Sequence, residues 1–259
     1  MLCDLSNKKK LFDLLKNRKF HYVVNLGGYV DHSKSLKTFN SHYKGCKNLS
    51  DALLSNSNEI VRFIQIGSSL EYGKLKSPHK ENLKTRLKNL QSIYSKSKLM
   101  ATKYLMQIFK EKNFPVVIFR LYLTYGPYQD YNRLIPIVTR NCLNNKSFAT
   151  SSGLQKRDFI YIDDVIKILI KSLTIRNIEG EIFNLGTGKP VKVKSLIIKI
   201  KKIIKKGKPN FGNLPLRKDE QLLTYPNISK LKKIFKINKF VSLSHGLKKT
   251  INFYKKSEI

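Results

Sequence analysis

Along the first half of the chain, continuous apolar runs alternate with stretches whose apolar residues recur every three or four positions. Tyr22–Gly27, Val61–Gly67 and Pro115–Leu121 are runs of the first kind, the pattern of strands buried on both faces. Between them the spacing predicts helices around Asn40–Ser55 and over Tyr94–Glu111, the second with Ala101, Leu105, Ile108 and Phe109 as its buried stripe. Ahead of the first run, Asp4-Leu5 reads as a short strand end, and Leu11, Leu14 and Leu15 as the apolar side of a helix. This alternation predicts an α/β chain with a doubly wound parallel sheet. Ligands in such sheets bind beyond the carboxyl ends of the strands, which here carry Gly27-Gly28, Ser68-Ser69 and Leu121-Tyr122.

From about Thr124 the texture changes. Tyr125-Gly126-Pro127-Tyr128-Gln129-Asp130-Tyr131-Asn132 is turn-rich and aromatic, and helices are predicted over Leu134–Leu143, Leu196–Ile204 and Ser244–Tyr254. Phe159–Ile162 reads as a strand, with Asp163-Asp164 capping the helix that follows. Two domains are therefore expected, 1–123 and 124–259, with part of 155–175 packing back on the first sheet.

Composition narrows the class. With 259 residues and 41% apolar content the chain can bury a substantial core, and no apolar run approaches the 18 residues of a membrane span. The start Met1-Leu2-Cys3-Asp4 lacks the basic-then-apolar order of a signal peptide, so a cytoplasmic protein is expected. Cys3, Cys46 and Cys142 are too few and too scattered for a disulfide framework or a zinc site, and no metal is expected. The net charge of +34 points toward nucleic acid, since phosphate neutralisation drives non-specific binding. Only nine of the 51 basic residues are Arg, however, and the Lys residues are spread over every segment without a nucleic-acid-binding motif. A basic nucleic-acid-binding protein is therefore the alternative outside the enzyme class, and no nucleic-acid partner is expected.

One stretch carries candidate chemistry. Tyr94 and Lys98 stand four residues apart and share one face of a helix, so the ammonium favours the charged form of the phenol. A Tyr so tuned can take a substrate proton. The spacing decides nothing alone: composition predicts about two Tyr-x-x-x-Lys matches. The chain has three, at Tyr43/Lys47, Tyr72/Lys76 and Tyr94/Lys98. Context singles out the third, which opens an amphipathic helix downstream of a strand ending in Gly67-Ser68-Ser69.

Six ordered blocks now resemble a known family. They are Asn25-Leu26-Gly27-Gly28, Gly67-Ser68-Ser69-Leu70-Glu71-Tyr72-Gly73, Tyr94 with Lys98, Arg120-Leu121-Tyr122 through Tyr125-Gly126-Pro127, Arg157-Asp158-Phe159-Ile160-Tyr161, and Asn184-Leu185-Gly186-Thr187-Gly188. Together they resemble the extended short-chain dehydrogenase/reductases, the NAD-dependent epimerase/dehydratase family. The resemblance implies a Rossmann-like sheet with a smaller α/β substrate domain, NAD or NADP as cofactor, and a nucleotide-diphosphate sugar as substrate. It implies surface-polysaccharide precursor synthesis and a homodimer as well. It implies Tyr94 as base, Lys98 as its tuning cation and a holder of the nicotinamide ribose, and Ser68 as the hydroxyl that steadies the same oxygen, with Ser69 as the register alternative in contact with substrate. Asp4 and Leu5 match positions that meet adenine, Leu26, Gly27 and Gly28 those lining the dinucleotide, and Leu121 and Tyr122 the loop at the nicotinamide. Arg157 and Arg217 match arginines that clamp the nucleotide diphosphate, a role suited to the guanidinium fork. Asn40 matches an Asn near the active site or else caps the helix it starts.

Two departures from the family pattern bear on the reaction. The 4,6-dehydratases carry acidic residues just after the Ser/Thr, where this chain has Ser69 and Leu70, which leaves 4-epimerisation or 4-keto reduction. Many members have Asn where Leu123 stands, so the substrate contact there is not carried over. The Gly-rich strand-turn-helix that holds the pyrophosphate is not found in the sequence, which therefore resembles an N-terminally truncated member. The alternative within the fold is a catalytically inactive one.

Overall fold

The computed structural model describes residues 3–29, 31, 33–56, 59–216 and 220–257. In chain order the first elements are α1 (Lys8–Leu15), β1 (Tyr22–Asn25), α2 (Ser35–Phe39), α3 (Gly45–Ser55), β2 (Arg62–Ser68), α4 (Ile93–Lys112) and β3 (Val116–Leu121). They are followed by β4 (Leu123–Tyr125), α5 (Leu134–Leu143), β5 (Ser147–Thr150), β6 (Lys156–Tyr161), α6 (Ile162–Ser172) and β7 (Glu181–Leu185). The last are β8 (Pro190–Lys192), α7 (Val193–Ile204), β9 (Lys208–Phe211), β10 (Leu223–Thr224), α8 (Ser229–Phe235) and α9 (Leu243–Ser257).

Two compact units emerge. The first comprises Met1–Leu75, Glu81–Leu121 and Leu169–Asn184; the second comprises Lys76–Lys80, Tyr122–Ile168 and Leu185–Ile259. The segment Leu169–Asn184 returns to the first unit, while β6 pairs with β4, β8 and β10 in the second.

The first unit is built on a sheet of order β1-β2-β3-β7, in which β1–β2 and β2–β3 are parallel. Its core packs Leu11 and Leu15 of α1 and Cys46, Ala52 and Leu53 of α3 with Phe63, Val116 and Ile118 of the strands and Ala101, Leu105 and Ile108 of α4. Local signals set the helix ends. Asn7 caps α1 by accepting the Lys10 amide at 3.1 Å, and Ser92 caps α4 by accepting the Ser95 amide at 3.1 Å. Asn113 closes α4 in the left-handed region, with φ 53°. Asp4-Leu5 forms a turn rather than a strand end, because the Asp4 carboxylate accepts the Ser6 amide at 2.8 Å.

β1 departs from the double burial its apolar run predicts. Tyr22, Val24 and Leu26 share one face by the twofold alternation of a strand and are 48%, 40% and 69% exposed. The opposite face turns Val23 toward the core and buries Asn25. Among the described strands β1 pairs only with β2, so the run is apolar without being covered.

In the second unit β6 pairs with β4 and β10 in parallel and with β8 antiparallel, and β5 pairs with β9. Its core gathers Tyr125, Ile135, Val138, Phe159, Tyr161, Leu196, Ile197, Ile200, Leu247 and Ile251. Asp163 and Asp164 stand in the first turn of α6, where negative charge favours a helix N-terminus, rather than capping it. Asp164 accepts the Val241 amide at 2.8 Å, which ties the segment before α9 to α6. Among the described residues no helix is long and apolar enough to cross a membrane, and no cluster of His, Cys, Asp or Glu could hold a metal ion.

Candidate active site

β2 ends in a reciprocal cap. The Ser68 hydroxyl accepts the Leu70 amide at 3.2 Å, and the Ser68 amide donates to Glu71 Oε1 at 2.8 Å. That bond fixes the strand end on which Ser68 sits, and it draws Glu71 inward until the side chain is wholly buried. Gly67 makes the approach possible, since a Cβ there would stand 2.5 Å from Glu71 Oε1.

A buried carboxylate needs partners, and Glu71 has them. Its Oε2 accepts from Thr102 Oγ1 at 2.9 Å and from Arg120 Nε at 3.0 Å. Arg120, inside the otherwise apolar β3, also lies 4.6 Å over the Tyr72 ring. Burial works against its charge, but Glu71 and Tyr72 outweigh that and hold the guanidinium above its usual range. The Tyr72 hydroxyl donates to Asn184 Oδ1 at 2.7 Å.

α4 brings the other candidate groups to this strand end. Lys98 is 5% exposed, and its Nζ donates to the Ile66 carbonyl of β2 at 2.7 Å. Burial pushes its pKa down, while Glu71 and Cys46 act in the opposite direction. Tyr94, one turn earlier, is half-buried, with the Lys98 ammonium 5.9 Å from its ring centroid. The His42 ring packs edge-on against Tyr94, with centroids 4.9 Å apart, and its Nε2 lies 3.1 Å from the Tyr29 carbonyl. His42 belongs to a wide π-turn, Asn40–Lys44, that joins α2 to α3.

The structure thus anchors Lys98 to β2 two residues before Ser68 and sets Tyr94 beside Lys98 on α4. It also brings Leu5 against Gly27, where a Cβ would meet Leu5 Cδ1 at 3.0 Å, and packs His42 over Gly28, where a Cβ would meet Cε1 at 2.1 Å. Leu26 and Asp4 are exposed, and Leu121 and Ser69 are half-buried. Asn40 opens the π-turn with its Oδ1 buried and unpartnered, and His42, two positions later, packs against Tyr94. Tyr122 lies in the second unit, buried, with its hydroxyl 2.8 Å from His79 Nδ1. Arg157, also in that unit, is engaged by Glu220, and Arg217 falls outside the described residues.

Sequence reasoning missed Glu71, Thr102, Arg120 and His42. A signal existed for two of them. An Arg inside a strand buried on both faces requires a counter-charge, and Glu71 is the acidic residue three positions after the candidate Ser68. Thr102 and His42 carry no such mark in an isolated sequence.

The profile of the NAD dependent epimerase/dehydratase family matches residues 1–186. Over 97% of its length the chain is 27% identical to UDP-glucuronate 4-epimerase 2 of Arabidopsis thaliana, and over 76% it is 28% identical to dTDP-D-glucose 4,6-dehydratase of Mus musculus. It spans 61% and 57% of the lengths of these relatives. A solved structure of UDP-glucuronic acid 4-epimerase from Bacillus cereus, in complex with UDP-glucuronic acid and NAD, superposes with a TM-score of 0.87 at 27% identity, covering 98% of this chain and 81% of that one. The parallel sheet, the strand end bearing Ser68 and the helix bearing Tyr94 and Lys98 lie within the matched residues, and the chain belongs to the NAD dependent epimerase/dehydratase family.

Proposed function

We propose that this chain acts on a nucleotide-diphosphate sugar as an NAD- or NADP-dependent 4-epimerase or 4-keto reductase. The observation that supports this reading is the hydrogen bond from Lys98 to the Ile66 carbonyl, two residues before Ser68, with Tyr94 beside the same ammonium. Kinship with a UDP-glucuronate 4-epimerase and a dTDP-D-glucose 4,6-dehydratase supports the substrate class.

The donor set fits a nicotinamide dinucleotide. The Ile66 carbonyl accepts one hydrogen of the Lys98 ammonium, which leaves two for a ribose diol. Leu5, Leu26, Gly27, Gly28, Lys98 and Leu121 would hold the cofactor, which when bound would accept or return the carbon-bound hydrogen as a hydride. Tyr94 takes the proton of the sugar hydroxyl, and the Lys98 charge favours the phenolate that does so. The Ser68 hydroxyl accepts the Leu70 amide on one of its two lone pairs, and its proton would be offered to the reacting oxygen.

Elimination of water would need an acid beside the leaving hydroxyl, and this chain offers none at that position. Leu70 is apolar and 51% exposed, and Glu71 is turned away into the core and paired with Arg120. That favours epimerisation or reduction over dehydration.

The test is binding of NAD(H) and NADP(H) by nucleotide fluorescence, followed by turnover of UDP-glucuronate and UDP-glucose by the wild-type chain and Tyr94→Phe. Loss of the base should cost about 100- to 10,000-fold in kcat, with cofactor binding retained. Turnover unchanged in Tyr94→Phe would sink the proposed base. Absence of nicotinamide binding, alongside a salt-steep affinity for nucleic acid, would overturn the enzyme reading altogether.

A further inference from the structure

We propose that Glu71 is a positioning residue of this site: from beneath the strand end it holds Ser68 through the backbone and the Lys98 face of α4 through Thr102. The inference rests on the function proposed above, because it assigns Glu71 to the same Ser68, Tyr94 and Lys98.

The geometry carries it. One carboxylate ties three elements together, accepting from the Ser68 amide on β2, Thr102 Oγ1 on α4 and Arg120 Nε on β3. Thr102 lies four residues after Lys98, so the bond to Glu71 and the bond from Lys98 to Ile66 clamp the same helix face against the same strand end. Ser68 and Lys98 therefore cannot shift independently of Glu71. The charge matters beside the bonds. Two cations, Arg120 and Lys98, are buried around a single carboxylate, and Glu71 is the foremost group opposing the burial penalty on the Lys98 ammonium. Glu71 does not touch substrate; it fixes where Ser68 stands and favours the charged form of Lys98.

A buried glutamate paired with an arginine also has a plain structural role, and the experiment must separate the two. Glu71→Gln keeps the size and the capacity to accept the Ser68 amide but removes the charge; Glu71→Asp keeps the charge and shortens the reach; Thr102→Val removes only the α4 bond. Each full-length variant is compared with the wild type by thermal unfolding, by peptide-resolved competitive labelling of Lys98 with acetic anhydride across pH, and by amide hydrogen exchange of the peptide containing Ser68.

In Glu71→Gln the labelling midpoint of Lys98 should move to lower pH, and its labelling at pH 8 should rise severalfold. Glu71→Asp should restore the Lys98 midpoint while exchange at Ser68 stays faster than in the wild type. Thr102→Val should speed Lys98 labelling with little loss of stability. An unchanged Lys98 midpoint in Glu71→Gln together with unchanged Lys98 labelling in Thr102→Val would reduce Glu71 to a structural ion pair and overturn the proposal. If Glu71→Gln does not fold, Glu71→Asp and Thr102→Val decide it: unchanged Ser68 exchange in the first and unchanged Lys98 labelling in the second overturn it. These readouts need no cofactor or substrate. A chain that neither binds nicotinamide nor turns over a sugar nucleotide would defeat the functional reading while the Lys98 midpoint still reports the hold of Glu71.

Discussion

Arg120 and Arg157 each leave a β-strand to meet a glutamate, Glu71 in the first unit and Glu220 in the second. The side chains of the first pair are 4% and 0% exposed, those of the second 14% and 21%. Burial lowers the affinity of Arg157 for its proton, with Glu220 opposing, whereas Glu71 and Tyr72 overcome burial at Arg120. Glu71 also serves Ser68 and Thr102, while the Arg157 guanidinium divides its bonds between Glu220 and the neighbouring Lys156 carbonyl. A buried charge is kept in two ways here: the first pair is one edge of a network closed to solvent, and the second can be rehydrated in place.

Removing one partner from each pair should separate the two most strongly. Arg120→Ala strands Glu71 and should cost about 3–5 kcal/mol. Arg157→Ala leaves Glu220 access to water and should cost about 1 kcal/mol. Urea unfolding of both variants checks this, and equal costs would mean that Glu71 finds water or a substitute cation.

Crowding the network from the other side should have an intermediate effect. A Cβ at Gly67 would meet Glu71 Oε1 at 2.5 Å and the Phe119 carbonyl at 3.3 Å, so Gly67→Ala must displace the carboxylate or the strand. The expected cost is about 1–3 kcal/mol, as for other overpacked interiors. Gly212 of the second unit offers a contrast: nothing lies within 4 Å of its added Cβ, and only its φ of +92° resists substitution. Gly212→Ala should therefore cost stability while leaving the first unit's Ser68 exchange unchanged, and Gly67→Ala should raise that exchange.

What was legible in the sequence follows the same division between apolar pattern and buried polar contact. Helix α4 and strands β2 and β3 were found within a residue or two because their periodicities are unbroken and their ends are marked by Ser92, Ser68 and Asn113. The apolar run of β1 was legible as a strand, but its exposure was not, since a run of Tyr22, Val23 and Val24 does not say how many of its faces are covered. Tyr94, Lys98 and Ser68 were singled out by their order among the family-like blocks, since the Tyr-x-x-x-Lys spacing alone occurs three times. The groups that fix them were not, because a hydrogen bond from Thr102 to Glu71 joins residues 31 apart and leaves no periodic trace. The packing of His42 against Tyr94 left no mark either, because it depends on the π-turn Asn40–Lys44, a property of the fold.

The smallest expected effect isolates the cation that Glu71 supports. Burial lowers the Lys98 pKa below its ordinary 10.5, so the folded chain holds this proton less tightly than the unfolded chain does. As pH rises through the depressed folded value, the native chain loses this proton while the unfolded chain keeps it. The unfolded state then binds more protons, and by linkage the Lys98 contribution to stability rises until pH passes 10.5, where both states are neutral. Lys98→Met has no such proton, so the stability of the wild type relative to this variant should climb with pH across that window and stay flat below it. Tyr104 and Tyr254, each pushed up to about 12 by burial, work in the other direction above pH 10, but they are present in both chains and cancel in the difference. Denaturant midpoints of the two proteins from pH 7 to pH 10 supply the measurement. A difference that falls with pH would mean that Glu71 raises the Lys98 pKa by more than burial lowers it, and that the buried site favours the ammonium over the amine.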